Sequence, residues 1–195
     1  MKTVEWHENR LDKLINTLSM CINFENLAVK IKGSDDFFIL KSDNYKEFKE
    51  IRSSILKDEG FFFLKNKKEV KLSSGQRIYS YMLPAIVAEI ESESLIILDE
   101  PELYLHPSME IGLIDMLKFL LQDTKSYAVI ATHSAIMTRE VDRKGITILR
   151  QNDSDVSKVH NPTMQTYGES LETIIGEAFD DYITVKTFFK MILIY

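Results

Sequence analysis

The chain has 195 residues, of which 45% are hydrophobic and 28% charged, with 11 Phe and 8 Tyr. That composition suits a domain with a real core and excludes a disordered chain. A net charge of −6 gives no global attraction to nucleic acid, and the single cysteine, Cys21, excludes an internal disulfide or a cysteine-based metal site. Uncharged stretches such as Ser126–Thr138 are shorter than the roughly 18 residues that suggest a membrane span, and the start, Met1-Lys2-Thr3-Val4-Glu5-Trp6, lacks the apolar core of a signal peptide. A cytoplasmic protein without a membrane partner is expected.

No repeat, low-complexity tract or Pro/Gly-rich linker divides the chain. Leu11, Leu14, Ile15 and Leu18 recur at spacings of three and four, which predicts a helix over about residues 5–20. Short strands are expected at Ala28–Ile31 and Phe37–Leu40, followed by a charged helix over Lys46–Leu56 that ends before Gly60. Phe61–Leu64 and Val70–Leu72 flank the polar Lys65-Asn66-Lys67-Lys68 and read as a hairpin. Its lysines, with Lys71, could meet nucleic-acid phosphates; a solvated tip balanced by Asp58, Glu59 and Glu69 is the simpler reading.

A helix should follow Ser74 and run to about Ile90, kinked at Pro84, which lacks the amide hydrogen an inner turn requires. Leu95-Ile96-Ile97-Leu98 is an all-apolar run, as a strand buried on both faces needs. A helix starting at Pro107 presents Ile111, Ile114, Leu117, Leu120 and Leu121. Tyr127-Ala128-Val129-Ile130-Ala131 is a second buried strand. Strand, helix and strand in this order favour parallel pairing. The expected fold is α/β, with a mostly parallel core sheet flanked by helices.

Three segments carry candidate chemistry. Leu72-Ser73-Ser74-Gly75-Gln76 opens a helix, whose unpaired amides and partial positive charge suit a phosphate. Ser73 and Ser74 add hydroxyls and Gly75 permits close approach; in isolation, an ordinary serine N-cap is the simpler reading. Asp99 and Glu100 end an apolar strand, where open α/β sheets bind ligands. Asp99 suits Mg²⁺ held through water, and Glu100 suits a general base toward an attacking water. The alternative is a polar pair that merely caps a strand before a turn. Thr132-His133-Ser134 follows the second strand, where His133 could reach a γ-phosphate. Alone it would read as a satisfied strand-end histidine; the order of all three segments favours the catalytic reading.

Taken together, Leu72–Ser134 resembles the C-terminal half of an ABC-type ATPase domain. Leu72–Gln76 is similar to the signature motif, Leu95–Glu100 to the Walker B motif, and His133 to the switch histidine. The run Asp99-Glu100-Pro101-Glu102-Leu103-Tyr104-Leu105-His106-Pro107 resembles the branch holding the overcoming-lysogenization-defect nucleases and the stand-alone ATPases of bacterial anti-phage systems. It resembles membrane transporters less. Tyr104 stands where that branch often has histidine, and Ser74 where transporters have glycine.

The resemblance implies a partial P-loop NTPase whose ATP and Mg²⁺ would be held only in a completed site. Nucleotide would meet Ser73, Ser74, Gly75 and Gln76, the metal Asp99, and the reaction Glu100 and His133. A P-loop needs Gly, four residues, then Gly-Lys-Ser/Thr. None of Gly33, Gly60, Gly75, Gly112, Gly145, Gly168 and Gly176 is followed by lysine. The organisation expected is a single partial ATPase domain over residues 1–195. It comprises a lobe at 1–71, a motif-bearing core at 72–150 and a truncated extension at 151–195 that closes with the apolar, uncapped run Phe188–Tyr195, an aggregation liability if exposed. The family's head-to-tail dimers imply a P-loop-bearing chain or a second copy as partner, and a nuclease effector is compatible with the branch. Alone, the chain is expected to be inactive. The competing reading is a non-catalytic module that binds or regulates a full-length ATPase.

Overall fold

The computed structural model describes residues 2–151, 157–178 and 188–194. They form two compact units, Met1–Ile90 and Glu91–Tyr195. Among the described residues, no helix is long and apolar enough to cross a membrane.

The first unit opens with helix α1 (Lys2–Ser19). Its periodic leucines do what their spacing requires: Leu14 and Leu18 are buried. Strands β1 (Asn26–Lys30), β2 (Phe37–Ile39), β3 (Phe62–Lys65) and β4 (Lys68–Glu69) form an antiparallel sheet in the order β2-β1-β3-β4. Between β2 and β3 lies α2 (Tyr45–Ile51), shorter than the charge pattern suggests because the chain tightens into a 3₁₀ turn at Arg52–Ser54. The expected hairpin forms, but it closes at Asn66 and Lys67, whose φ values of 50° and 60° make a tight two-residue turn. Lys65 therefore pairs with Lys68, and β4 ends at Glu69 rather than running over Val70–Leu72. Helix α3 (Ser74–Glu89) buries Tyr79, Leu83 and Val87, with Pro84 inside it.

The second unit is built on strands β5 (Leu95–Asp99), β6 (Tyr127–Thr132), β7 (Ile146–Gln151), β8 (Ser157–His160) and β9 (Phe188–Ile194). Helix α4 (Pro107–Thr124) is the crossover between β5 and β6, α5 (Ala135–Arg139) follows β6, and α6 (Leu171–Ala178) precedes β9. The strand order is β5-β6-β9-β7-β8. The predicted strand–helix–strand crossover and the parallel β5–β6 pair are present. A mostly parallel sheet is not, since β6–β9, β9–β7 and β7–β8 are all antiparallel. The sheet is mixed: β9 lies antiparallel between β6 and β7, and β7 and β8 form a further antiparallel pair.

That placement of β9 gives the apolar run at the end of the sequence its partners. Phe188–Ile194 is an internal strand, with Ile192 and Ile194 buried; Tyr195 lies outside the described residues. The run Leu95–Leu98 departs in the opposite direction. It is an edge strand, and Leu95 and Ile97 are 60% and 71% exposed, while Ile96 and Leu98 are half-buried. Period-two alternation in accessibility separates the two faces of a strand even when every residue is apolar.

Gly145 lies in the 3₁₀ turn that leads into β7. A Cβ there would meet the Leu193 carbonyl oxygen of β9 at 2.7 Å and Val141 Cγ1 at 2.9 Å. The first contact is with backbone and cannot rotate away. Gly145→Ala should therefore displace β9 and destabilise the chain by about 1–3 kcal/mol, measured by urea unfolding. Unchanged stability would contradict the central placement of β9.

Candidate functional site

The candidate site of the second unit is set by strand register. At one end of the β5–β6 pair, the Ser126 hydroxyl accepts from the Ser94 amide at 3.0 Å and donates to the Glu91 carbonyl at 3.0 Å. At the other end, the Glu100 amide donates to the Ala131 carbonyl at 2.8 Å. Asp99 lies beside Ala131 in the register, so Glu100 and His133 emerge together at the carboxyl ends of neighbouring parallel strands. Glu100 Oε1 and His133 Nε2 are 3.2 Å apart.

Glu100 reaches this position with φ at 43°, in the left-handed region that a non-glycine residue adopts at a cost of about 1–3 kcal/mol. The turn continues with the Leu103 amide donating to the Glu100 carbonyl at 3.2 Å and the Leu105 amide to the Glu102 carbonyl at 2.8 Å. Tyr104, also left-handed with φ at 69°, is exposed. His106 then N-caps α4: its Nδ1 accepts from the Ser108 amide at 3.3 Å, and Pro107 takes the first helical position. The His-Pro pair thus has a structural task of its own.

Two residues outside the three candidate segments' assignments hold the histidine loop. Glu102 Oε1 accepts from Thr132 Oγ1 at 2.5 Å and from the His133 amide at 2.8 Å. Glu110, buried on the first turn of α4, accepts from the Ser134 hydroxyl. Ser134 Oγ accepts from the Met137 amide at 3.0 Å and so N-caps α5. A cleft of about 430 Å³ opens here, lined among others by Glu100, Glu102, Glu110, His133 and Ser134. Sequence spacing offers one signal for Glu102, two residues beyond Glu100 in the same tight turn, and none for Glu110, whose partner is 24 residues away.

Asp99 is an exposed carboxylate at the end of β5. Among the described residues, no group of three or more His, Cys, Asp or Glu side chains converges as an all-protein metal cage. Asp99 and the neighbouring Glu100 offer carboxylate oxygens, the donor type a hard cation such as Mg²⁺ takes.

The remaining candidates, Ser73 to Gln76, belong to the first unit. Ser73 N-caps α3, its Oγ accepting from the Gln76 amide at 3.3 Å while Gln76 Oε1 accepts from the Ser73 amide at 3.0 Å. The Gln76 side-chain amide also donates to the Cys21 carbonyl at 2.9 Å. Burial pushes the Cys21 thiol up to about 12, so that it is no nucleophile. Gly75 is buried, whereas Ser73 and Ser74 are exposed.

Residues 22–137, more than half of the chain, match the family described as "AAA domain, putative AbiEii toxin, Type IV TA system". The chain belongs to this family. It is also 29% identical over 163 residues to protein ea59 of Escherichia phage lambda, a match covering 78% of this chain and 31% of that protein. The chain therefore spans about a third of this relative's length. The match places it in a P-loop ATPase-like domain class, with which its mixed α/β architecture is consistent. The matched region runs from the loop before β1 to the end region of α5, so it takes in Ser73–Gln76, Asp99, Glu100 and His133.

At the candidate site, Glu110 is a titrating group with a clear environmental bias. Burial pushes its carboxyl above the ordinary value of 4.5; the Ser134 hydrogen bond opposes that, nearby Glu102 adds to it, and His106 opposes it. A carboxyl whose folded pKa is raised contributes its full stability below the unfolded value and loses it as pH rises through the folded one. Glu110→Gln keeps an acceptor for Ser134 and removes the titration. Its melting temperature relative to the parent should therefore rise as pH increases above the carboxyl's ordinary value of 4.5. A pH-independent difference in thermal melts would contradict this.

Proposed function

We propose that this AAA domain supplies the catalytic half of an ABC-type ATP-hydrolysing site. In this reading Asp99 holds Mg²⁺ through water, Glu100 is the general base, and His133 senses the γ-phosphate. Ser73, Ser74 and Gly75, with Gln76, form a signature segment that closes over nucleotide held by another subunit. The single observation that carries the reading is the Glu100–His133 contact of 3.2 Å at the carboxyl ends of two parallel strands. A carboxylate with an imidazole against it, in a left-handed turn whose strain the register sustains, has the arrangement of an acid–base site. A bound Mg²⁺ would neutralise charge on the phosphates; the chain's own contribution is to orient a water and accept its proton at Glu100.

The 195 residues contain no Gly-Lys-Ser/Thr sequence, so the phosphate cradle must be contributed by other sequence or by a partner chain. Among the described residues β5 is the edge strand of its sheet, which supports such completion, because an unpaired edge accepts a further strand. An ATPase with its partner chain, head to tail with a second copy or joined to a nuclease effector, follows from the same resemblance.

By itself the chain should show no appreciable ATP turnover. In an enzyme completed by a P-loop-bearing segment or partner, Glu100→Gln should leave nucleotide binding intact and slow hydrolysis by about 10²- to 10⁴-fold. Asp99→Ala should instead weaken Mg²⁺-dependent binding. Affinity and turnover measured side by side separate the two roles. Hydrolysis by the Glu100 variant at the parental rate would remove the catalytic assignment.

A further inference from the structure

Glu102 spends its carboxylate in an unusual way. One oxygen, Oε1, takes both the Thr132 hydroxyl at 2.5 Å and the His133 backbone amide at 2.8 Å. The other, Oε2, is buried without a hydrogen-bond partner. A buried acceptor left alone is costly, so the two bonds at Oε1 are what hold the side chain here. Here the whole side chain is committed to one point, the peptide that carries His133.

The bonds around that peptide form a closed set. Thr132 Oγ1 donates to Glu102 and accepts from the Ser134 amide at 2.9 Å. Ser134 donates its hydroxyl to Glu110 and its carbonyl accepts from the Thr138 hydroxyl at 2.7 Å. Backbone and neighbours of His133 are thereby gripped from the interior, and its imidazole is directed to Glu100. Glu102 stands two residues after Glu100 in the same turn, so it ties the β5 turn to the β6 end directly.

We propose that Glu102 is a positioning residue whose grip on Thr132 and the His133 amide holds the His133 imidazole against Glu100. Its importance for hydrolysis rests on the reading above; the positioning itself is a property of this chain alone. Charge-assisted hydrogen bonds to backbone amides are the stronger kind, and their direction fixes the peptide plane. The bond is to the backbone amide and not to a ring nitrogen, so Glu102 acts on the peptide from which the imidazole extends.

The test uses the full chain with ¹⁵N-labelled histidine. Glu100→Gln is introduced alone and into Glu102→Ala, Glu102→Asp and Glu102→Gln, and the His133 ring ¹⁵N resonances are followed in each. In the parent and in Glu102→Gln, which keeps an acceptor of equal reach, Glu100→Gln should move the ring signals. In Glu102→Ala and Glu102→Asp that response should vanish, and the His133 amide should exchange with solvent about tenfold faster or more. Asp keeps the charge but is one carbon too short to serve both donors, so the Asp–Gln contrast decides if the Ala variant does not fold. A ring response that survives in Glu102→Asp, or is missing in the parent, would overturn the proposal. Failure of the ATPase reading is separate: turnover would ignore Glu100→Gln while the ring coupling persisted.

Discussion

The register of β5 against β6 is the constraint on which the site depends. Parallel strands joined by a helix cannot be fixed by a tight turn, so their relative slide must be set elsewhere. Here it is set at both ends: by Ser126 bridging Ser94 and Glu91, and by the Glu100 amide reaching the Ala131 carbonyl. A slip of one residue would exchange the two faces of β5 and carry Glu100 away from His133. The buried leucines of α4 (Leu113, Leu117, Leu120 and Leu121) give the crossover its apolar face and oppose such a slip by packing.

Register alone does not explain why Glu100 tolerates a left-handed backbone. The residue is caught between the ladder bond of its own amide and the next turn, in which its carbonyl accepts from Leu103. Both bonds are made with the residue in this left-handed conformation. The turn then delivers Glu102 to the histidine loop and passes into the His106–Pro107 start of α4. Strand end, tight turn and helix cap thus act as one unit, in which local strain is offset by hydrogen bonds made several residues away.

Much of this was legible in sequence wherever the cause was local. The start of α4 at Pro107, the serine cap of α3, and the leucine stripe of α1 each follow from a few neighbouring residues. The α/β class and the parallel β5–β6 pair follow from the order of elements. What could not be read was non-local. Leu95–Leu98 is as apolar as a strand buried on both faces, yet it lies at an edge; composition does not state how many neighbours a strand has. Phe188–Ile194 carries the same ambiguity in reverse, since nothing near it names β6 and β7 as partners. At the site, Asp99, Glu100 and His133 stood out by type and position. Glu110 did not, because an acidic residue in a helix's first turn is ordinary until its burial and its Ser134 partner are known.

The first unit poses a different question, because capping a helix and holding a phosphate draw on the same amides. At α3 the capping box already engages the Gln76 amide, and the Gln76 side chain is occupied by the Ser73 amide and the Cys21 carbonyl. Its effect is to brace α3 against the loop that follows α1. An anion approaching this helix would therefore find the exposed Ser73 and Ser74 hydroxyls and the earliest amides, with Gln76 behind them as support. The serine cap and the signature reading then cease to be rivals. Ser73 Oγ accepts a hydrogen bond in the cap, and a hydroxyl that accepts one bond still has its own proton to donate. The cap holds that oxygen in place before any ligand arrives, which lowers the ordering cost of binding there.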